Sequence, residues 1–263
     1  MEPLATDDVT IPANTTIQIS MAGEVAESID FTDATSILTI LSGDLTVDQG
    51  TFGDLIDMPN GGTINISSGG ILRLQNGDSG IDGGDITINN SGQLIFENLD
   101  SEAFDIDSDP MILTNQASGL IQGIAPFSTD FLDIGSSADG SVIDNFGQIM
   151  VNMNDVGTDF FDINGVTTIR NNVGALIDID DVDDNVFDFG TIASGTTFDN
   201  FGTIDIFESG DEGFELESGI TVTNHPSGII RTSEIEDELF DICLLYTSPS
   251  PRDRTRSRMP SSA

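Results

Sequence analysis

Hydrophobic residues recur at every second position along this chain, in short runs broken every few residues by Gly, Asn or Asp. The stretch from Ser141 to Ile163, SVIDNFGQIMVNMNDVGTDFFDI, shows the pattern in full. Ile149 and Val151 fall on one side of an extended chain; later Phe161 and Ile163 point one way and Asp162 the other. Between such runs, Asn145 and Gly147 supply turn chemistry, because an Asn side chain bonds nearby backbone and Gly accepts unusual dihedrals. The pattern predicts short strands joined by tight turns, with no helix.

The unit repeats. Gly markers stand at Gly43, Gly70, Gly92, Gly119, Gly147, Gly174, Gly202 and Gly228, at spacings of 27, 22, 27, 28, 27, 28 and 26 residues. An aliphatic follows two residues after each: Leu45, Leu72, Leu94, Ile121, Ile149, Leu176, Ile204 and Ile230. A second marker runs in step with the first. It is Phe104-Asp105-Ile106, then Leu132-Asp133-Ile134, Phe161-Asp162-Ile163, Phe187-Asp188-Phe189, Phe214-Glu215-Leu216 and Phe240-Asp241-Ile242. A period of this size denotes a stacked array, in which each unit buries its apolar face against its neighbours. The two-residue apolar spacing excludes helical repeats, and the Leu-x-x-Leu-x-Leu signature of leucine-rich repeats is absent. The expected fold is therefore all-β: a parallel β-helix, or β-solenoid, of about eight coils of roughly 27 residues with three short strands each. At about 4.8 Å per coil the rod would be roughly 38 Å long.

Three segments are expected. Residues 1–42 read as N-terminal capping or degenerate coils, and 43–242 as the regular repeats. Within the latter, the coil between Gly70 and Gly92 is short and lacks the Phe-Asp-Ile triplet. Gly77 to Asp85, GDSGIDGGD, stands there instead and reads as a flexible turn with a faint likeness to a calcium-binding nonapeptide. Residues 243–263 break the pattern: the only Cys, the only Tyr and four of the seven basic residues lie in them. Cys243 to Asp253 resembles a translated transposase-end sequencing adapter, and Ser257 to Ala263 a translated flow-cell primer, so this tail is expected to be non-native. The β-helix is accordingly expected to be truncated, and Met1 to be an internal Met of a longer exported protein.

Charge narrows the functional classes. The chain has 46 Asp and Glu against 7 Lys and Arg, for a net charge of −39. Such a surface repels nucleic acid and anionic membranes. No segment is long and apolar enough to span a bilayer as a helix. Outside the tail the only cations are Arg73, Arg170 and Arg231, in three separate coils.

No nucleophile elbow, zinc spacing or phosphate loop occurs, and the lone His225 reads as a turn residue. A non-enzymatic role is expected. One alternative is a β-helical carbohydrate-active enzyme, whose chemistry needs two carboxylates across a sugar bond. The residues offer a second alternative, calcium binding. Stacked in register, Asp105, Asp133, Asp162, Asp188, Glu215 and Asp241 form an outward column, whose neighbours repel by about 0.9 kcal/mol per pair in bulk water. Calcium seeks several oxygen ligands, and two local sets offer them: Asp105, Asp107 and Asp109, and Asp178 with Asp180. The first resembles the start of an EF-hand loop, with Pro110 in place of the Gly and Gln116 in place of the closing Glu. Asn90, Asn115, Asn145, Asn171, Asn200 and Asn224 mark equivalent turns and predict a structural ladder.

The repeated Asn-x-Gly-x-Ile followed by an Asp-bearing strand, as in Thr197 to Ile206, TFDNFGTIDI, resembles the passenger repeats of bacterial autotransporters and related large adhesins. The resemblance covers about residues 9–242. It implies export, a rod at the outer cell surface, and adhesion or aggregation. The implied partners are cell-surface or extracellular polymers, or further copies of the protein.

Overall fold

Alternation of apolar and polar residues is realised as strands that bury every second side chain. Phe161 and Ile163 are buried while Asp162 between them is half-exposed, and the same in-out-in order holds in Phe187–Phe189 and Phe214–Leu216. The computed structural model describes residues 7–50, 53–153, 158–190, 193–217 and 219–242. The tail 243–263 lies outside them. Every strand pairing among the described residues is parallel, and no helix occurs among them, as the repeat predicts.

A regular coil has three strands on three faces. Phe104–Ser108 occupies the first face, Met111–Asn115 the second and Leu120–Phe127 the third. The next coil repeats this with Leu132–Ser137, Ser141–Asn145 and Gln148–Asn152. The first-face strands form a ladder of ten, and the other two faces form a sheet of sixteen. Those two faces are one sheet because the early strands Ile37–Asp48 and Gly62–Gln75 run unbroken round the corner between them. The reason lies in one column of residues. Ile40, Ile66 and Asn90 are in register at that corner. Where Ile stands, the chain stays extended. At Asn90 and Asn145 the side-chain Oδ1 accepts from the amide two residues on, Gly92 N (3.1 Å) and Gly147 N (3.1 Å), which turns the chain.

From that coil onward the asparagines bond to one another. Nδ2 of Asn90 donates to Oδ1 of Asn115 (2.9 Å), Asn115 to Asn145 (2.8 Å), Asn145 to Asn171 (2.9 Å), Asn171 to Asn200 (2.9 Å) and Asn200 to Asn224 (2.8 Å). Each buried amide is thereby satisfied by its vertical neighbour, the condition for keeping a polar group inside a core. Phenylalanine forms the second internal stack. Phe131 and Phe160 stack at 5.5 Å, Phe160 meets Phe187 edge-on at 5.6 Å, and Phe187 stacks on Phe214 at 4.6 Å.

Two sequence expectations are corrected by the register. The Gly marker slips once: Gln148 pairs with Leu176 and Ile149 with Ile177, so Ala175 rather than Gly174 is the equivalent of Gly147. Gly174 lies in the turn at φ 83°, Leu176 is half-exposed and Ile177 is the buried aliphatic. Gly77 to Asp85 is also more than a turn, because Ile81–Gly83 is a first-face strand paired with Ile56–Met58 and Phe104–Ser108. Gly at position 80 is required there. A Cβ would lie 2.6 Å from the Phe96 ring and from the Ala103 carbonyl.

Candidate functional site

On nine of the ten described first-face strands an acidic residue next to an apolar one points outward, and parallel in-register stacking brings these residues into one column. Asp30, Asp57, Asp82, Asp105, Asp133, Asp162, Asp188, Glu215 and Asp241 are consecutive partners along the ladder. The sequence pattern identified the last six. Asp30, Asp57 and Asp82 were missed because their strands, Ile-Asp-Phe, Ile-Asp-Met and Ile-Asp-Gly, lack the leading Phe or Leu of the triplet. The shared signal is an Asp flanked by buried residues.

A second acidic line runs along the corner before this face. Asp130 and Asp159 are each 9% exposed, and they cap the backbone of the following coil. Asp159 N donates to Asp130 Oδ1 (2.8 Å), and Asn185 N donates to Asp159 Oδ1 (2.9 Å). The hydroxyl of Thr158 also donates to Asp130 Oδ1. Glu102 accepts from Thr129 Oγ1 at 2.7 Å. The corner line and the strand column together enclose a strip of partly desolvated carboxylates.

Desolvation raises the pKa of these groups, and neighbouring carboxylates raise it further. Asp82 is pushed up to about 7 by burial, then by Asp54 and Asp105. Burial followed by Asp107 and Glu102 takes Asp105 to about 6. Asp133 rises to about 7 through burial and the charges of Asp162 and Asp105. Burial and Asp130 bring Asp162 to about 6, against a lowering bond from Asn164. Asp188 reaches about 7 from burial and Asp162, and Asp159 about 8 from burial and Asp130. None of the three arginines counters them. Arg73 pairs with Glu97 (2.7 Å), Arg170 with Asp144 (3.3 Å) and Arg231 with Asp205 (2.5 Å), all on the second and third faces.

Carboxylate oxygens converge in two overlapping groups on this strip, Asp105 with Asp107 and Asp133, and Asp130 with Asp133 and Asp162. In each, one oxygen per residue lies within 4.8 Å of the others. Such separations suit a calcium ion ligated at 2.3–2.6 Å by several oxygens. Asp133 is common to both groups, and its Oδ1 is shut off from solvent with no hydrogen-bond partner. A third group, Asp211 with Glu212 and Asp237, lies near the end of the ladder.

The five residues expected to hold calcium are thus distributed unevenly. Asp105 and Asp107 are brought together with Asp133, a residue of the next coil. Asp109 is exposed, sits in a turn at φ 48° and joins neither group. Asp178 and Asp180 stand on the third face, where Asp180 Oδ2 accepts from Asn152 Nδ2 (3.0 Å). His225 is held by Asp199 (2.8 Å) and stacked on Phe201 at 3.7 Å.

No known family pattern matches the chain, and no curated protein matches it. Among solved structures it is similar to a TibA fragment hyper-glycosylated by TibC, at 14% identity, with 90% of this chain and 96% of that one covered. The TM-score is 0.17, so the likeness carries no argument about function.

Proposed function

We propose that this chain is part of an exported bacterial surface protein, a β-helical stalk or adhesin displayed outside the cell. The observation that supports the reading most is the unbroken parallel stacking from Asp8 to Ile242. Each coil of such a stack rests on its neighbours, so length follows coil number and the rod works as a spacer with repeated side faces. The Asn-x-Gly-x-Ile resemblance to autotransporter passengers points the same way. The test is display. Residues 1–242 are fused between a bacterial signal peptide and an outer-membrane β-barrel anchor, then probed on intact cells by antibody and protease. Surface exposure with increased cell–cell aggregation or attachment to an extracellular polymer is expected. Retention inside the envelope, or display with no change in attachment, would sink the reading.

A second reading, calcium binding along the acidic strip, is favoured by one observation, the solvent-free and unpartnered Oδ1 of Asp133 between two carboxylate groups. A divalent cation there would neutralise charges that have no arginine beside them among the described residues. Thermal unfolding in millimolar calcium is the test, with sodium at matched ionic strength as the reference. An upward shift specific to calcium, lost in Asp133→Asn, is expected; equal shifts in both salts would exclude it.

A further inference from the structure

Apart from the acidic strip, the third face carries a groove of about 250 Å³. Met150 and Phe207 are among its apolar lining, and Asn152, Asp178 and Asp180 among its polar lining. Register explains the assembly. Met150 pairs with Asp178 and Asn152 with Asp180, so one apolar side chain and three polar ones meet across two adjacent coils. Phe207 follows one coil on, its amide bonded to the Ile179 carbonyl (2.9 Å). Phe207 is 50% exposed and Ile124, which is in register with Asn152, is 37% exposed. Phe207 thus leaves apolar surface beside the polar lining of the groove.

The charges of the groove decide what fits it. Asp205, the next residue along from Asp178, is neutralised by Arg231 through bonds of 2.5 and 2.6 Å. Asp178 and Asp180 make no ion pair of this kind among the described residues; the Arg231 charge favours the ionised form of Asp178, while Asp180 faces no such cation. The Asn152 amide donates to Asp180, which leaves the polar side rich in acceptors. A ligand must therefore bring donors and positive charge, together with apolar surface for Met150 and Phe207. Asp178 and Asp180 leave the same side of one strand, two residues apart, which places them about 7 Å from each other. That is also the spacing of alternate side chains in an extended peptide.

We propose that this groove binds an extended basic peptide segment of a partner protein, with two basic side chains at alternate positions meeting Asp178 and Asp180. Flanking apolar side chains of that segment cover Met150 and Phe207. The proposal deepens the adhesin reading and rests on it only for the exposure of this face. Binding is read in solution, so its failure leaves the display experiment's outcome untouched.

The probe is fluorescein-labelled Leu-Ser-Lys-Ser-Lys-Ser-Leu, titrated with the full chain and followed by anisotropy at physiological salt. Asp178→Asn with Asp180→Asn is expected to weaken binding by about tenfold or more. Glu24→Gln with Glu27→Gln removes the same charge at the other end of the rod and should change it less than about twofold. Phe207→Ala should weaken the Leu-flanked peptide several-fold and leave a Ser-flanked version unchanged. Equal losses from both acidic pairs would reduce the effect to diffuse attraction by an acidic chain and overturn the proposal. So would binding of a neutral oligosaccharide such as cellohexaose in this groove with no binding of the peptide.

Discussion

Asp133 and Asp162 are direct partners in adjacent coils, on the same side of the first face, and Oδ1 of Asp133 has neither a hydrogen bond nor access to water. Two carboxylates in that relation cannot both ionise cheaply, because each loses solvation and each faces a like charge. Asp82, Asp133 and Asp188, each raised to about 7, are therefore partly protonated at neutral pH, or the strip takes up a cation. Both responses can be measured.

The first prediction concerns pH. Asp82, Asp105, Asp133, Asp159, Asp162 and Asp188 have folded values raised to between about 6 and about 8 from an ordinary 3.8. Between those limits the folded chain binds protons that the unfolded chain has released. Their contribution is thus fully present below the unfolded value and is lost as pH rises through 6 to 8. The thermal midpoint should be higher at pH 5 than at pH 8 in a calcium-free buffer, the reverse of ordinary acid denaturation. A midpoint that falls on going from pH 8 to pH 5 would contradict this.

Asp133→Asn keeps the shape of the side chain and removes its charge. At pH 8 without divalent cations it should raise the thermal midpoint by a few degrees, since it removes repulsion with Asp105 and Asp162. At pH 5, where the wild-type group is already protonated, the difference should nearly vanish. Thermal scans at the two pH values check both halves.

Asn145→Ala should be costly. The substitution removes the acceptor of Asn115 Nδ2 and Gly147 N, and the donor to Asn171 Oδ1 and the Leu176 carbonyl, at a site 1% exposed. Orphaned buried groups cost about 1–3 kcal/mol each, and water can reach few of these. A loss of about 2–4 kcal/mol in urea unfolding is expected, far above that of an exposed turn residue such as Asn14.

Phe187→Ala opens the aromatic stack at its most connected ring among the described residues, which meets Phe160, Phe161, Phe189, Phe198 and Phe214. A loss of about 3–5 kcal/mol is expected, read as a lower urea midpoint with the slope unchanged. Phe146, 42% exposed at the corner between the second and third faces, should tolerate Ala with little change.

How far the sequence carried the reading depends on whether a signal is periodic. The Asn ladder and the carboxylates from Asp105 to Asp241 were legible because period and residue type agree in successive coils. Asp82 was hidden because Gly at position 80 and Gly at position 83 surround it with turn chemistry. These glycines are demanded by contacts with Phe96 and with the backbone of Met58 in neighbouring coils. The slip at Gly174 has another cause: Asn171 to Ala175 spans four positions, as Asn115 to Gly119 does, but its Gly stands one place early at φ 83° and Ala175 takes the tight position. Convergence of Asp133 with Asp107 or Asp130 was beyond reach, since it depends on which corner oxygen turns toward the column. Spacing along one strand gave Asp105, Asp107 and Asp109 as a set, but the strand ends at Ser108 and the turn at Asp109 separates the third from the other two.

The central claim is a strip of carboxylates brought into register and partly desolvated by parallel stacking. Carboxyl-carbon NMR titration of the chain labelled at aspartate, with Asp133→Asn used to assign one signal, tests it most directly. A distinct set of aspartates titrating between about pH 6 and 8, with the signals of Asp105 and Asp162 moving to lower pH in the variant, is the predicted result. Titration of every aspartate near pH 4, unchanged by the substitution, would contradict it.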